Sequence, residues 1–216
     1  MTTKKAVLFD LDGTLINTID DLANAANYML RHFGYPEFEV EAYKYKVGNG
    51  MRKLMERALP ENHRTKEDID AAMDVFMPYY GEHSLDNAKP YDGMADTLQK
   101  LRDMGVKTAV ITNKAHEAAV KILDNMLPNC FDVIFGQREG VPTKPDPTST
   151  NMVIDELCVS PSECIFIGDS GVDMMTAKNT GAFALGELWG FRTKEELYDN
   201  GADAVIEKPL DILKFI

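Results

Sequence analysis

The sequence lacks several features that mark special classes of protein. No apolar run approaches the roughly 18 residues that a membrane span requires, and the first residues show no secretory pattern. Its three cysteines, Cys130, Cys158 and Cys164, are not spaced in pairs as in zinc sites. Only 23 basic residues stand against 35 acidic ones, and the resulting net charge of −12 repels nucleic-acid phosphates. These absences predict a cytoplasmic protein with buried thiols, no membrane association and no nucleic-acid partner.

The chain does contain the material for an ordinary folded core, with 44% hydrophobic and 27% charged residues. Short apolar runs predict strands at 6–9, 106–112, 131–136, 164–168, 182–186 and 204–206. Between them, helix patterns lie at 94–104, 115–127, 148–157 and 173–179. This alternation predicts an α/β fold with a parallel sheet covered by helices on both faces.

Residues 17–87 break the alternation, because they show helix periodicity and no convincing strand. Apolar residues at 22–33 and 69–80 recur at the spacing of amphipathic helices, and a shorter helix is predicted at 51–59. Pro78 is expected to kink the last of these helices. We therefore predict a core of residues 1–16 and 88–216 with an all-helical cap domain at 17–87. A cap over the carboxyl ends of the strands would cover the place where open α/β folds bind ligands.

Polar residues that could carry chemistry follow four of the predicted strands: Asp10 and Asp12, Thr112 and Asn113, Lys144, and Asp169 and Asp173. The carboxyl ends of parallel strands share one edge, so these groups are expected to converge. Two carboxylates ~4 Å apart repel each other by roughly 4 kcal/mol at an effective dielectric of ~20, more than one lysine can offset. A hard divalent cation offsets this repulsion, and oxygen ligands suit Mg²⁺. The pattern predicts a Mg²⁺ site that receives a phosphate group.

Each of these features also has a simpler interpretation. Residues 10–14 could form an ordinary turn, Thr112 and Asn113 could cap a helix, and Lys144 could be a solvated surface lysine. The acidic residues at 169–173 could be a turn followed by a helix N-terminus. Their occurrence together, at successive strand ends, favours a joint site.

The four motifs, taken in order, resemble those of the haloacid dehalogenase superfamily of phosphohydrolases. They read Asp10-Leu11-Asp12-Gly13-Thr14-Leu15, Thr112-Asn113, Lys144 and Gly168-Asp169-Ser170-Gly171-Val172-Asp173. The resemblance implies a Rossmann-like core, a helical cap inserted after the first strand, and Mg²⁺-dependent phosphoryl transfer through an aspartyl-phosphate.

By position, the resemblance also implies the roles of individual residues. Asp10 is the nucleophile and a metal ligand, and Asp12 is the acid and base whose carbonyl also binds the metal. Asp169 is the remaining metal ligand, and Asp173, together with Ser170, supports either the metal or Lys144. The phosphate-binding residues are Gly13, Thr112, Asn113 and Lys144.

Segments 47–50, 90–93 and 189–203 further resemble the phosphoglycolate phosphatase group of that superfamily, although Tyr91-Asp92 departs where a second proline is common. In the cap, Gly48, Asn49 and Gly50 could offer N–H groups and Arg52 a partner for a carboxylate; the alternative is a helix-breaking linker. The expected substrate is a small phosphorylated metabolite, foremost 2-phosphoglycolate. Alternatives within the superfamily are a phosphosugar mutase, a pyrophosphatase and a metal-free dehalogenase, and outside it a phospho-aspartate receiver module. The sequence leaves the oligomeric state open.

Overall fold

Most of the β-strands belong to one parallel sheet. The computed structural model describes residues 3–216. Its strands are, in chain order, β1 (Ala6–Phe9), β2 (Ile16–Asn17), β3 (Lys89–Pro90), β4 (Lys107–Ala115), β5 (Val133–Gln137), β6 (Cys164–Gly168), β7 (Phe183–Glu187) and β8 (Ala204–Ile206). Six of them form one parallel sheet in the order β5-β4-β1-β6-β7-β8, while β2 and β3 pair separately.

Helices alternate with the strands of the large sheet and fill the segment between β2 and β3. They are α1 (Ile19–His32), α2 (Val40–Tyr43), α3 (Met51–Ala58), α4 (Lys66–His83), α5 (Met94–Asp103), α6 (His116–Met126), α7 (Thr148–Glu156), α8 (Gly171–Thr180) and α9 (Lys194–Asp199). Short 3₁₀ helices lie at Glu61–His63, Pro161–Glu163 and Pro209–Phe215. The predicted α/β fold class, a parallel sheet with a helical cap, is confirmed.

The central strands are buried on both faces. Every residue of β1 is fully buried, and β6 is equally so. Such strands are continuous apolar runs, which is why the sequence identified them. Leu8 of β1 and Phe166 of β6 belong to a single core cluster with residues of α7 and α8. This packing holds the ends of β1 and β6 rigidly.

The described chain divides into two compact units. One contains Pro90–Ile216 and the N-terminal segment through Asn17, and the other contains Thr18–Lys89. The predicted cap boundaries at 17 and 87 lie one and two residues from this division. Within the second unit, α1 packs on α4, which runs through Pro78.

Some sequence-based expectations need correction. The strand predicted to end at residue 112 continues to Ala115, with a register shift against β5 between Ile111 and Ala115. Cys164, in the buried strand β6, is buried as expected. Cys130 is half-buried and Cys158 is exposed, because these two lie in the connections that follow α6 and α7. In the described part of the chain, no helix is long and apolar enough to cross a bilayer.

Candidate active site

Two neighbouring strands deliver carboxylates to one edge of the sheet. Asp10 directly follows β1 and Asp169 directly follows β6, and these strands pair in register from Ala6 with Cys164 to Phe9 with Ile167. The Asp10 N–H continues the ladder by donating to the Ile167 carbonyl at 2.9 Å. Both side chains are therefore fixed by the buried sheet, and both residues are less than one-tenth exposed.

A third carboxylate joins them from the first turn of α8. Asp173 is fully buried, and its Oδ2 accepts hydrogen bonds from the Ser170 N–H at 3.1 Å and the Ser170 hydroxyl at 2.6 Å. One carboxylate oxygen from each of Asp10, Asp169 and Asp173 lies within 4.8 Å of the others. At an effective dielectric of ~20, each such pair of charges repels by roughly 3–4 kcal/mol.

Lys144 supplies a positive charge beside this cluster. Its Nζ lies 2.8 Å from Asp10 Oδ1 and 2.7 Å from Asp173 Oδ1, and the side chain is only 2% exposed. Asn113 fixes the lysine main chain, because its Oδ1 accepts from the Lys144 N–H at 2.8 Å and its Nδ2 donates to the Lys144 carbonyl at 3.2 Å. The structure thus uses the Asn113 amide to hold the Lys144 loop.

Burial and mutual repulsion shift the proton affinities of these groups. Burial, opposed by Lys144 and aided by Asp173, raises the pKa of Asp10 to about 6. Burial, together with Asp173 and Asp10, raises the pKa of Asp169 well above its usual range. Burial alone would lower the pKa of Lys144, but Asp10 and Asp173 outweigh it and the pKa is raised. The cluster therefore holds more negative charge than its own lysine neutralises.

Asp12 is paired with a second buried lysine, which sequence reasoning missed. Lys114 Nζ lies 2.9 and 3.1 Å from the two carboxylate oxygens of Asp12, and the Lys114 side chain is fully buried. The Lys114 N–H donates to Thr112 Oγ1 at 3.2 Å, and Thr112 is itself buried. Lys114 lies two positions beyond the predicted strand end at Thr112, where a lysine is ordinarily exposed, so no sequence pattern marked it.

Gly13 lies against the Asp169 carboxylate. It has a φ of +90°, and a Cβ there would fall 2.6 Å from Asp169 Oδ2, so a side chain would collide with the cluster. The Phe191 N–H donates to the same Oδ2 at 2.9 Å. The loop after β7 therefore also takes part in the site, through Phe191, which the sequence analysis included in segment 189–203 without predicting this contact.

A fully buried glutamate, also missed, stands at the end of β7. Glu187 Oε2 accepts from the Trp189 N–H at 2.7 Å and the Gly190 N–H at 3.0 Å. Burial and the nearby Asp169 raise the pKa of Glu187 well above its usual range. No spacing signal marks it, because it falls one residue beyond the predicted strand.

The remaining predicted residues belong to the helical unit. Gly48 and Gly50 have φ values of +105° and +83°, which side chains rarely adopt, just before α3 begins. Asn49 Oδ1 accepts a hydrogen bond from Arg57 at 2.7 Å. Arg52 forms an ion pair of 2.6 Å with Asp70, and both side chains are about half exposed. Their predicted contact with substrate stays a prediction.

The donor set of the buried cluster fits a hard cation. Asp10, Asp169 and Asp173 offer carboxylate oxygens alone, and these are the ligands that Mg²⁺ prefers. Among residues 3–216, no histidine or cysteine belongs to this cluster. Burial, and after it mutual repulsion, raises the pKa values of Asp10 and Asp169, and a divalent cation would relieve the repulsion. An anionic ligand could then bind beside Lys144.

Comparison with known proteins agrees with this geometry. A family model described as haloacid dehalogenase-like hydrolase matches residues 7–186. Phosphoglycolate phosphatase of Pseudomonas putida is 38% identical over 196 residues, which cover 88% of this chain and 71% of that protein. Phosphoglycolate phosphatase of Aquifex aeolicus is 32% identical over 213 residues, covering 98% of this chain and 96% of that protein.

A solved structure is similar over nearly the whole chain. It comes from Lactobacillus delbrueckii subsp. bulgaricus, is provisionally assigned as a phosphoglycolate phosphatase, and has a TM-score of 0.93 with 31% sequence identity. The similarity covers 98% of this chain and 97% of that structure. It therefore extends to the helical unit as well as to the sheet.

Proposed function

The chain belongs to the haloacid dehalogenase-like hydrolases, as its motifs predicted, and on that premise we propose that it is a Mg²⁺-dependent phosphatase of small phosphomonoesters. The observation that carries the proposal is the buried cluster of Asp10, Asp169 and Asp173 with the Lys144 ammonium between two of its members. This cluster combines a fixed carboxylate nucleophile with the charges needed to receive a phosphoryl group.

The proposed metal ligands are the carboxylates of Asp10 and Asp169 and the main-chain carbonyl of Asp12. Asp173 holds Lys144 and is itself held by Ser170. When bound, Mg²⁺ would neutralise charge on the phosphate oxygens. Lys144 contributes a second positive charge from a position fixed by Asn113.

In the first step, an Asp10 carboxylate oxygen attacks phosphorus in line, and the bond from phosphorus to the ester oxygen breaks. Asp12 enters this step protonated and gives that proton to the departing alkoxide, and Lys114 stabilises the carboxylate that is left. Asp10 must be ionised to attack, and with a pKa of about 6 it is so at neutral pH. The product of this step is an aspartyl-phosphate on Asp10.

In the second step, water attacks the phosphorus of the aspartyl-phosphate. Asp12 takes a proton from that water, the bond from phosphorus to the Asp10 oxygen breaks, and phosphate leaves. Both carboxylates return to their starting states. Thr112, Gly13 and the fixed Lys144 position the phosphoryl group throughout, because they surround the end of β1.

For the substrate we propose 2-phosphoglycolate, which the names of the relatives support. In the helical unit, Gly48, Asn49, Gly50 and Arg52 are the proposed contacts of its carboxylate. The free cysteines of the structure suit a reducing compartment, and we propose that the enzyme acts in the cytoplasm.

A phosphate-release screen with Mg²⁺ tests this function, led by 2-phosphoglycolate and including pyrophosphate, hexose phosphates and p-nitrophenyl phosphate. We expect the highest kcat/KM on 2-phosphoglycolate, loss of activity with EDTA, and recovery when Mg²⁺ is restored. Asp10→Asn is the control for contaminating phosphatases. Metal-independent release would contradict the ligand set, and isomerised sugar phosphate in place of free phosphate would favour the mutase alternative.

A further inference from the structure

Glu187 is a buried carboxylate to which the proposed reaction gives no role. It is the last residue of β7, it is fully buried, and a 2.7 Å and a 3.0 Å hydrogen bond tie its Oε2 to the N–H groups of Trp189 and Gly190. Its Oε1 is buried and has no hydrogen-bond donor among residues 3–216. An apolar side chain would fill this position without the cost of burying a carboxyl group.

The segment that Glu187 holds contacts two parts of the candidate active site. The Phe191 N–H donates to Asp169 Oδ2 at 2.9 Å. The Trp189 indole N–H donates to the Thr14 carbonyl at 3.0 Å, in the turn that begins at Asp10 and Asp12. One glutamate thus anchors a loop that contacts both the turn after β1 and the Asp169 carboxylate after β6.

Close packing makes the position of this loop specific. A Cβ on Gly190 would lie 2.3 Å from Asp169 Cβ, 2.5 Å from Glu187 Oε1 and 2.7 Å from the Gly13 carbonyl oxygen. Gly190 therefore fills the space between Glu187, Asp169 and Gly13 with main-chain atoms. A small displacement of Gly190 would move the Phe191 N–H away from Asp169, because the two residues are adjacent.

We propose that Glu187 is a positioning residue, which fixes the 188–191 loop so that Asp169 is oriented to bind the divalent cation. The inference rests on the proposed function for the identity of that cation. Glu187 accepts hydrogen bonds from the Trp189 and Gly190 N–H groups, and the loop so fixed places the Phe191 N–H on Asp169. Glu187 itself does not touch the substrate in this proposal. The loop requires a hydrogen-bond acceptor at position 187, so a carboxamide there should fix the loop nearly as well as a carboxylate.

Mg²⁺ titration calorimetry on the metal-free full-length chain, together with melting curves, tests the proposal. Glu187→Leu should weaken Mg²⁺ binding by about tenfold or more, as the loss of a group that orients a metal ligand usually does. Glu187→Gln should stay within about threefold of wild type, since its side-chain oxygen can accept the same two N–H bonds. The matched control is Glu163→Leu, which removes a carboxylate that accepts the Ser160 N–H and hydroxyl at the opposite end of β6. It should lower Tm and leave Mg²⁺ affinity unchanged.

Amide hydrogen exchange of the wild-type chain provides a second test, which stands even where Glu187→Leu fails to fold. Mg²⁺ should slow exchange at Gly190 and Phe191, because a cation that holds Asp169 also holds the loop whose Phe191 N–H donates to Asp169. A folded Glu187→Leu with wild-type affinity, a Glu187→Gln as weak as Glu187→Leu, or unchanged exchange at 190–191 would each overturn the proposal. A wild-type chain that binds no Mg²⁺ would instead contradict the proposed function, so the two failures are distinguishable.

Discussion

At the scale of single residues, the buried carboxylates Asp10 and Asp173 depend on Lys144 for a positive charge. Its ammonium lies within 2.8 Å of carboxylate oxygens from both Asp10 and Asp173, and the whole group is removed from water. A buried ion pair of this kind contributes little beyond what an apolar pair would, but removing one member leaves uncompensated buried charge. Lys144 is therefore expected to matter to stability as well as to the proposed phosphate binding.

Lys144→Met should destabilise the metal-free protein by about 3–5 kcal/mol, because two buried carboxylates lose their partner. Chemical denaturation with and without Mg²⁺ measures this change, and bound cation should reduce it. The control is Lys178→Met, which breaks a partly exposed ion pair with Asp203 and should cost at most about 1 kcal/mol. Equal losses for both variants would show that Lys144 is not the counter-charge of the cluster.

The proximity of Asp10, Asp169 and Lys144 could be predicted from order along the chain, because successive parallel strands bring their carboxyl ends to one edge. Lys114 and Glu187 could not be found in this way. A lysine just after a predicted strand end is ordinarily exposed, and Lys114 is buried only because β4 continues to Ala115. Pairing between β4 and β5 determines that extension, and single-chain patterns do not record it.

At the scale of secondary-structure elements, the start of α8 connects helix capping to the site. Ser170 precedes the helix, and its N–H and hydroxyl both donate to Asp173 Oδ2, while the other oxygen of Asp173 meets Lys144. Helix α4 begins with the same arrangement, in which the Thr65 N–H and hydroxyl donate to Asp68 Oδ2. The two helix starts differ in burial and in what their acidic residue touches.

Ser170→Ala and Thr65→Ala should each lower the free energy of unfolding, by about 1–2 kcal/mol, because each removes a helix-capping residue. Only Ser170→Ala should also lower kcat, by roughly tenfold, since Asp173 then loses a bond that orients it toward Lys144. Denaturant titrations and steady-state kinetics on both variants measure the two effects. A Thr65→Ala enzyme as impaired as Ser170→Ala would show that lost stability alone accounts for lost activity.

At the scale of the whole molecule, acidic excess makes stability depend on metal and pH together. Because burial raises the pKa of Asp10 to about 6 in the folded protein, above the ordinary value of 3.8, the metal-free fold binds more protons than the unfolded chain. The stability from this group is complete below the ordinary value and is lost as pH rises through about 6. The pKa of Asp169 is also raised, so its contribution has the same sign.

Mg²⁺ should therefore raise Tm more at about pH 8 than at about pH 5, where protons compete for the same carboxylates. At a concentration about 100 times its Kd, the cation should stabilise the fold by about 2.7 kcal/mol at the higher pH. Scanning calorimetry at both pH values measures the difference, and Asp169→Asn should abolish it. An equal rise in Tm at both pH values would place the bound cation away from these carboxylates.

In the proposed reaction, Asp10 carries the phosphoryl group between two in-line displacements. The stereochemical course at phosphorus tests it most directly, using a substrate whose phosphoryl group is made chiral with oxygen isotopes. Two successive displacements predict overall retention of configuration in the transfer product formed with an alcohol acceptor. Inversion would mean that the acceptor attacks the ester directly, and would contradict the covalent role of Asp10.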